Sequence, residues 1–266
     1  MSFSLTTANI THGESFQPQS TTGLAENLEM LGTQLLSDIV CLQEVDSFHQ
    51  RSHELEQTSI VQRSGNYLDA KFAAAMYGDP GPGREWRKST VEDFESVEPV
   101  PGGYGIAILS KFPVRSWERH EMTGSKLSMP LPIRIGDRTV MVPIPDEPRV
   151  ALAAEIETPL GLITVINTHL SFIPPTAMKQ LAGLMKWARS LETEFVLAGD
   201  LNLSRRIVNR ITGMNNAVDF KTYPAMSPRA HIDHVTYGDS LKTDHTHPRW
   251  LQAGDHLSVT TNFSRS

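Results

Sequence analysis

The chain has 266 residues, of which 39% are hydrophobic and 20% charged, and its formal net charge at pH 7 is −6. This length and composition predict one large α/β domain that spans residues 1–266. The acidic balance argues against tight, sequence-independent binding to duplex nucleic acid, which depends on many cationic contacts to phosphates. The single cysteine, Cys41, excludes an internal disulfide and a cysteine-based zinc site.

No apolar stretch of the sequence is long enough to cross a bilayer, so we expect no transmembrane segment. The first residues also lack the basic and long apolar regions of a signal peptide. We therefore expect a cytoplasmic protein. Nothing in the sequence predicts an obligate protein partner.

The first half of the chain alternates between strand and helix patterns. Apolar alternation predicts a first strand that ends at Asn9, and leucines three or four residues apart predict a helix over 22–37. The apolar run 39–45 predicts a buried strand, and a weaker helical pattern covers 48–63. The turn-rich segment 78–101 predicts a long surface loop.

The second half of the chain predicts mostly strands. The proline-rich segment 121–148 predicts a loop that carries one short strand near 139–142. Alternation predicts a hairpin between 149–157 and 162–170, and an apolar stripe that begins after two prolines predicts a helix over 174–191. The other predicted strands are 103–110, one from 114 onward, one from 195, and 232–237. The segment 254–259 is expected to end the ordered chain.

Polar side chains recur where apolar runs stop. A predicted buried strand ends at Gly199, and the next residues include Asp200 and Asn202, which share one side because they are two positions apart. Burial of an isolated carboxylate costs several kcal/mol unless a partner or a metal offsets it. Other apolar runs end in the same way, at Asn9, Glu44, Asn167 with His169, Asp233, and Asp255 with His256.

These acids lie close to amides and have no arginine or lysine in the same runs, so the pattern predicts a bound cation. All-oxygen ligands favour a hard ion, Mg²⁺ or Mn²⁺, over zinc. The imidazole of His256 adds a group that acts as acid, base or hydrogen-bond donor near neutral pH.

Each of these residues has a structural alternative when it is taken alone. Asp200 with Asn202 is also typical of a strand-to-turn cap, and Glu44 of a structural ion pair. Asn167 and His169 are also typical of satisfied polar groups in a core. Asp233 alone fits an ordinary strand end, and Asp255 with His256 a surface pair. The recurrence of the pattern favours one shared site.

Three further residues have weaker predictions from the sequence. His12 is expected to be solvated or paired, although it lies close to Asn9. Tyr104 is expected to be a packing residue, and Arg149 a surface residue.

The set of motifs, in its order along the chain, closely resembles the endonuclease/exonuclease/phosphatase family, which includes deoxyribonuclease-I-like enzymes, abasic-site nucleases, neutral sphingomyelinases and inositol-polyphosphate phosphatases. The resemblance runs from Asn9 to Val259. It implies a four-layer α/β sandwich, in which two mixed, mainly antiparallel sheets pack face to face with helices outside. It also implies a divalent-metal-dependent phosphoester hydrolase. The motifs that carry it are Asn9, Leu42-Gln43-Glu44-Val45, Asn167-Thr168-His169-Leu170, Gly199-Asp200-Leu201-Asn202, Ile232-Asp233-His234-Val235 and Asp255-His256-Leu257.

The resemblance also implies roles for single residues. Glu44 is the expected main metal ligand, with Asn9 and Asp255 beside it. Asp200 is expected to orient or deprotonate the attacking water, and Asn202 to hold a phosphate oxygen.

The remaining site residues have these expected roles. His256, held by Asp233, is the expected general base or stabilises the charged transition state. His169 is expected to face the phosphate or the leaving oxygen. Asn167 and Arg149 are expected substrate contacts.

The substrate is the least determined feature of the sequence. The chain has no conspicuous apolar hairpin insertion and no basic pocket that can be recognised from sequence. We expect a phosphodiesterase or phosphatase that acts on a small molecule or lipid head group, and an endo- or exonuclease is the alternative. A non-catalytic binding module that kept the fold is the alternative from another class. The predicted loops 78–101 and 121–148 are expected to shape the substrate cleft.

Overall fold

The computed structural model describes residues 1–79, 85–125, 128–135 and 138–266. Its helices are α1 (Leu24–Gln34), α2 (Gln57–Gly65), α3 (Val91–Glu95), α4 (Pro174–Ala188) and α5 (Arg205–Thr212). Its strands are β1 (Ser2–Asn9), β2 (Ile39–Ser47), β3 (Asp69–Gly78), β4 (Trp86–Lys88), β5 (Gly103–Ser110), β6 (Val114–Met122), β7 (Ser128–Ile135), β8 (Arg138–Pro145), β9 (Arg149–Thr158), β10 (Gly161–His169), β11 (Phe195–Asp200), β12 (Asn215–Asn216), β13 (Asp233–Tyr237), β14 (Leu241–Arg249) and β15 (Ser258–Arg265).

Two mixed sheets form the centre of the structure. Over the described residues, the first sheet has the strand order β14-β15-β1-β2-β5-β3-β4, and the second has the order β12-β13-β11-β10-β9-β6. Strands β1 and β2 are parallel, as are β10 and β11, and the other pairs are antiparallel. Strands β7 and β8 form a separate hairpin. This architecture confirms the predicted α/β sandwich.

Apolar side chains fill three interfaces: one between the two sheets, one between the first sheet and α1–α2, and one between the second sheet and α4. Three interfaces separate four layers. On β2, Ile39 and Cys41 face the second sheet, whereas Val40 and Leu42 face the helices. Because both faces of the strand are covered, its apolar run is continuous rather than alternating. Burial of one such side chain contributes about 1.5–3 kcal/mol. The sheet–sheet core includes Leu5, Ile106, Leu152, Val165 and Val196, the α1–α2 layer includes Leu28, Leu31 and Val61, and the α4 layer includes Ile166, Leu181, Leu184 and Leu197.

Several predicted elements differ from the structure. The weak helical pattern over 48–63 is a short 3₁₀ turn, Gln50–Ser52, followed by α2. The predicted loop 121–148 contains the hairpin of β7 and β8 instead of one short strand. The predicted loop 78–101 contains β4 and α3, and its residues 80–84 lie outside the described residues. Sequence analysis did not predict β3, β14 or α5.

None of the helices in the described part of the chain combines the length and the hydropathy that a bilayer crossing requires.

Gly199 lies in β11 where only glycine fits. Its φ of +143° is a conformation that side chains rarely adopt, and a Cβ there would lie 1.9 Å from the carbonyl oxygen of Thr168 on β10. The absence of a Cβ thus lets the two parallel strands stay in register immediately before Asp200.

We predict that Gly199→Ala lowers the free energy of unfolding by about 3 kcal/mol or more, because it adds backbone strain to a direct overlap. Urea denaturation measures the change. Gly183→Ala is the matched control, since a Cβ at this position in α4 meets nothing within 4 Å. It should stabilise the protein by about 0.5–1 kcal/mol, the helix preference for alanine. Equal stability of the two variants would contradict the role assigned to Gly199.

Candidate active site

The candidate site lies where parallel strands of the two sheets end. Asn9 ends β1 beside Gln43 of β2, and His169 ends β10 beside Asp200 of β11. Parallel neighbours deliver their last residues to one edge of a sheet. Because the sheets pack face to face, the two edges contribute to one cleft.

Glu44 reaches the cleft through a β-bulge. The pairing of β2 with β5 shifts register between Gln43 and Val45, and Glu44, the extra residue, has a φ of 55°. A bulge redirects a side chain that would otherwise follow the alternation of the strand. Glu44 is therefore partly exposed, whereas Gln43 is completely buried.

The amide of Asn9 joins acids from both sheets. Its Nδ2 donates to Oε1 of Glu44 at 2.9 Å and to Oδ2 of Asp200 at 3.3 Å. Its Oδ1 accepts from the backbone nitrogen of Thr11 at 3.2 Å. The structure thus brings Asn9, Glu44 and Asp200 together, as the sequence predicted.

Asp255 lies on the same side of the cleft. Its Oδ1 accepts from the Thr11 hydroxyl at 2.9 Å. Burial raises the pKa of the Tyr223 phenol, and the carboxylates of Asp255, Glu44 and Asp200 raise it further. The carboxylates of Asp255, Glu44 and Asp200 are thus all close enough to the Tyr223 phenol to raise its pKa, so they belong to the same cleft.

Asp233 and His256 form a buried pair beside Asp200. Nδ1 of His256 lies 3.0 Å from Oδ2 of Asp233, and Nε2 of His256 lies 3.8 Å from Oδ2 of Asp200. Burial and the carboxylate of Asp233 raise the pKa of Asp200 to about 7. Burial lowers the pKa of His256, but Asp233, Asp200 and Asp255 outweigh it and raise the pKa to about 10. The ring of His256 is thus protonated, as an imidazolium, at neutral pH.

Asn202 and His169 form the opposite wall of the cleft. Nδ2 of Asn202 lies 3.2 Å from Nε2 of His169, and its backbone nitrogen donates to Oδ1 of Asp200 at 3.0 Å. Burial lowers the pKa of His169 well below its usual value, and Arg149 and His256 lower it further. Nε2 of the neutral ring thus faces both the Asn202 amide and Oδ2 of Asp200, which lies at 3.5 Å.

The structure does not bring Asn167 into the cleft. Its side chain is completely buried and donates to the carbonyl oxygens of Leu42 at 2.8 Å and Ala107 at 2.9 Å. It also accepts from Nε2 of Gln43 at 2.7 Å. We therefore do not propose Asn167 as a substrate contact, because its hydrogen bonds tie β10 to the bulged strand of the other sheet.

Arg149 lies on the flank of the cleft and is buried, unlike the surface residue that its sequence context alone predicts. Its side chain is 5% exposed, and Nη2 lies 3.6 Å from Oε2 of Glu147. Its charge acts on His169, Tyr104 and Glu44. This position is compatible with the substrate contact predicted from the family resemblance.

Sequence analysis underestimated a second group of residues beside Glu44. Nε2 of His12 lies 3.6 Å from Oε2 of Glu44, and Nδ1 lies 3.4 Å from Oδ1 of Asp46. Arg51 binds both oxygens of Asp46, at 2.7 and 2.9 Å, and its guanidinium lies over the ring of Tyr104. The proximity of His12 to Asn9 in the sequence was the only signal for this group.

The fold and the cluster of acids, amides and histidines define a protein of the deoxyribonuclease-I-like α/β sandwich class. The sequence model of the Endonuclease/Exonuclease/phosphatase family matches residues 9–256, and the chain belongs to this family. Its members are phosphoester hydrolases. No curated protein sequence matches the chain.

Solved structures share the fold at low sequence identity. An endonuclease/exonuclease/phosphatase from Beutenbergia cavernae has a TM-score of 0.69 and 17% identity, over 100% of this chain and 72% of that chain. A mannosyl-6-phosphatase from Bacteroides thetaiotaomicron has a TM-score of 0.61 and 11% identity, over 98% and 99%. The catalytic domain of human Nocturnin, solved with a bound sulfate anion, has a TM-score of 0.59 and 17% identity, over 100% and 95%.

We predict that Asn167→Ala lowers the free energy of unfolding by about 2–4 kcal/mol, because it removes the donors of two buried carbonyl groups. Asn215→Ala is the control, since that side chain is exposed and bonds only to Asp239 among the described residues. It should change stability by less than about 0.5 kcal/mol. Guanidinium denaturation of both variants measures the difference. If Asn167→Ala kept the wild-type free energy of unfolding, the amide would not be needed to join the two sheets.

Proposed function

We propose that the chain is a divalent-metal-dependent phosphodiesterase or phosphatase that acts on a small or lipid-derived phosphoester in the cytoplasm. The supporting observation is that Glu44 and Asp200, which come from different sheets, accept hydrogen bonds from the single amide of Asn9. Two carboxylates this close repel each other in a site partly shielded from water, and a cation relieves that repulsion.

The donor set fits a hard cation. Glu44, Asp255 and Asn9 would hold Mg²⁺ or Mn²⁺ through oxygen atoms. Ligand atoms of Asp200, Asp233 and His256 also lie within 4.8 Å of one another. We favour the first set, because Nδ1 of His256 is committed to Asp233 and the remaining imidazole nitrogen suits softer metals. The bound ion would neutralise charge on the phosphate and on the leaving oxygen.

The residues around this position have complementary tasks in hydrolysis. Asp200 would orient or deprotonate the attacking water, helped by its pKa of about 7. The amide of Asn202 would hold a phosphate oxygen, and the His256–Asp233 pair, as an imidazolium held by a carboxylate, would stabilise the charge that develops on the phosphoryl oxygens. Positioning of water and phosphate together provides much of the rate enhancement.

We predict that Glu44→Ala and His256→Ala each lower kcat/KM for the best substrate by about 10³-fold or more, since each removes a group that stabilises the transition state. Circular dichroism should show that both variants remain folded. Glu98→Ala and His247→Ala are the matched controls at exposed positions and should retain wild-type turnover. Full activity of Glu44→Ala or His256→Ala would refute the assigned roles.

We also predict that EDTA abolishes turnover and that Mg²⁺ or Mn²⁺ restores it, whereas Ca²⁺ or Zn²⁺ restores it poorly, because the transition state needs a small hard ion.

A panel of phosphomonoesters, small phosphodiesters, sphingomyelin, inositol phosphates, DNA and RNA would identify the substrate class. Plasmid nicking that rivals hydrolysis of small diesters would favour a nuclease. Calorimetry without Mn²⁺ binding would favour the non-catalytic binding module.

A further inference from the structure

A small basic cavity lies next to the cleft, where the edge strands of the two sheets approach each other. Its volume is about 170 Å³, several times the 30 Å³ or so that one water occupies in the liquid. The end of β4, the second half of β6 and the start of β9 form its walls. Its charged and hydroxyl-bearing side chains are Lys88, Ser89, Arg119, Glu121, Thr123 and Arg149.

The charge of this cavity is opposite to that of the whole chain. Lys88, Arg119 and Arg149 are cationic, and Glu121 is the one carboxylate among the lining residues, so three positive charges against one negative leave +2. The chain as a whole carries −6. Glu121 is also already engaged, because its Oε1 accepts from Nη1 of Arg119 at 2.6 Å. Oε2 of Glu147, which is not a lining residue, lies 3.6 Å from Nη2 of Arg149, so three positive charges against these two carboxylates leave an excess of +1 around the cavity.

Buried donors in the cavity lack acceptors. The side chains of Arg119 and Arg149 are each 5% exposed, yet the Nε of each has no hydrogen-bond partner in the described part of the chain. The buried Oγ of Ser89 has no partner within hydrogen-bond distance in the described part of the chain either. A buried donor without an acceptor costs about 1–3 kcal/mol, and more when it is charged. A multivalent anion would remove this cost.

Arg149 connects the cavity with the catalytic cleft. It lines the cavity, and because Ala151 of β9 pairs with Thr168 of β10, the start of β9 with Arg149 lies beside the end of β10, where His169 reaches the cleft. An extended ligand with one phosphate near Asn202 and His169 would thus reach the cavity with a second anionic group. The two subsites share Arg149 as a common wall.

We propose that this cavity is an anion subsite that binds a second phosphate or carboxylate of the substrate, so the preferred substrates are phosphoesters with two anionic groups. That the bound anion is part of the substrate rests on the proposed function. That the cavity binds an anion does not.

Calorimetric titration of inorganic phosphate into the protein, with EDTA present, tests the subsite without any turnover. Arg119→Gln should weaken binding by about 10- to 100-fold, the cost of a charge-assisted hydrogen bond, and Lys88→Ala should weaken it less. Arg115→Gln is the control, because Arg115 lies on the same strand but is exposed and paired with Glu157. It should bind phosphate as the wild type does.

Lys88 is exposed, so Lys88→Ala keeps the test valid if Arg119→Gln does not fold. Equal phosphate affinity of the wild type and of every folded cavity variant, Lys88→Ala included, would overturn the proposal.

The second measurement compares a bisphosphorylated with a monophosphorylated substrate in the presence of Mn²⁺. The ratio of their kcat/KM values should fall about 10-fold or more in Arg119→Gln and stay constant in Arg115→Gln. An unchanged ratio with normal hydrolysis would refute the substrate subsite alone. Phosphate binding that depends on Arg119, without hydrolysis of any substrate, would refute the proposed function and leave the anion subsite supported.

Discussion

The contact between the Asn167 amide and the carbonyl groups of Leu42 and Ala107 is the constraint on which the candidate site depends. It joins the end of β10 to the two central strands of the other sheet, next to the bulge that redirects Glu44. A bulge leaves local ladder groups without regular partners, and the amide supplies donors from outside the sheet. A fully buried, directional polar contact therefore joins the sheet that carries Glu44 to the sheet that carries Asp200, in addition to the apolar packing between them.

Charge is distributed unevenly around this junction. Acids gather on the side of Asn9, and arginines lie on the flanks. Arg51 satisfies Asp46, and although burial alone raises the pKa of Asp46, hydrogen bonds from Arg51 and His12 hold it below its usual range. Asp200 has no arginine partner among the described residues, and burial and the carboxylate of Asp233 raise its pKa although His256 lowers it. The pKa of Asp46 is thus lowered and the pKa of Asp200 is raised, although both lie at one edge of the site. Asp46 therefore suits a structural role, and Asp200 suits proton transfer.

Much of the fold and of the acidic wall could be predicted from the sequence, because both depend on local patterns. Glu44 and Asp200 follow apolar runs, so their position at strand ends is visible without coordinates. Strand β3 was missed since its alanine-rich run, from Ala73 to Ala75, is not typical of a strand. The burial of Asn167 was not predictable, because its partners belong to another sheet. The basic cavity was not predictable from the sequence either. Lys88, Arg119 and Arg149 are about 30 residues apart, and they converge only because β6 pairs with β9 and β4 of the other sheet lies beside them.

The pairing of β1 with β15 has a consequence for the order in which the protein is made. Ser2 lies beside Ser264, so one edge of β1 stays unpaired until β15 has left the ribosome. The second sheet, by contrast, takes all its strands from residues 114–237. Asn9 and His256 lie at opposite ends of the chain, and the complete site can assemble only after synthesis has passed both. Until then β1 exposes an unpaired edge, a state in which nascent chains tend to associate with one another or with chaperones.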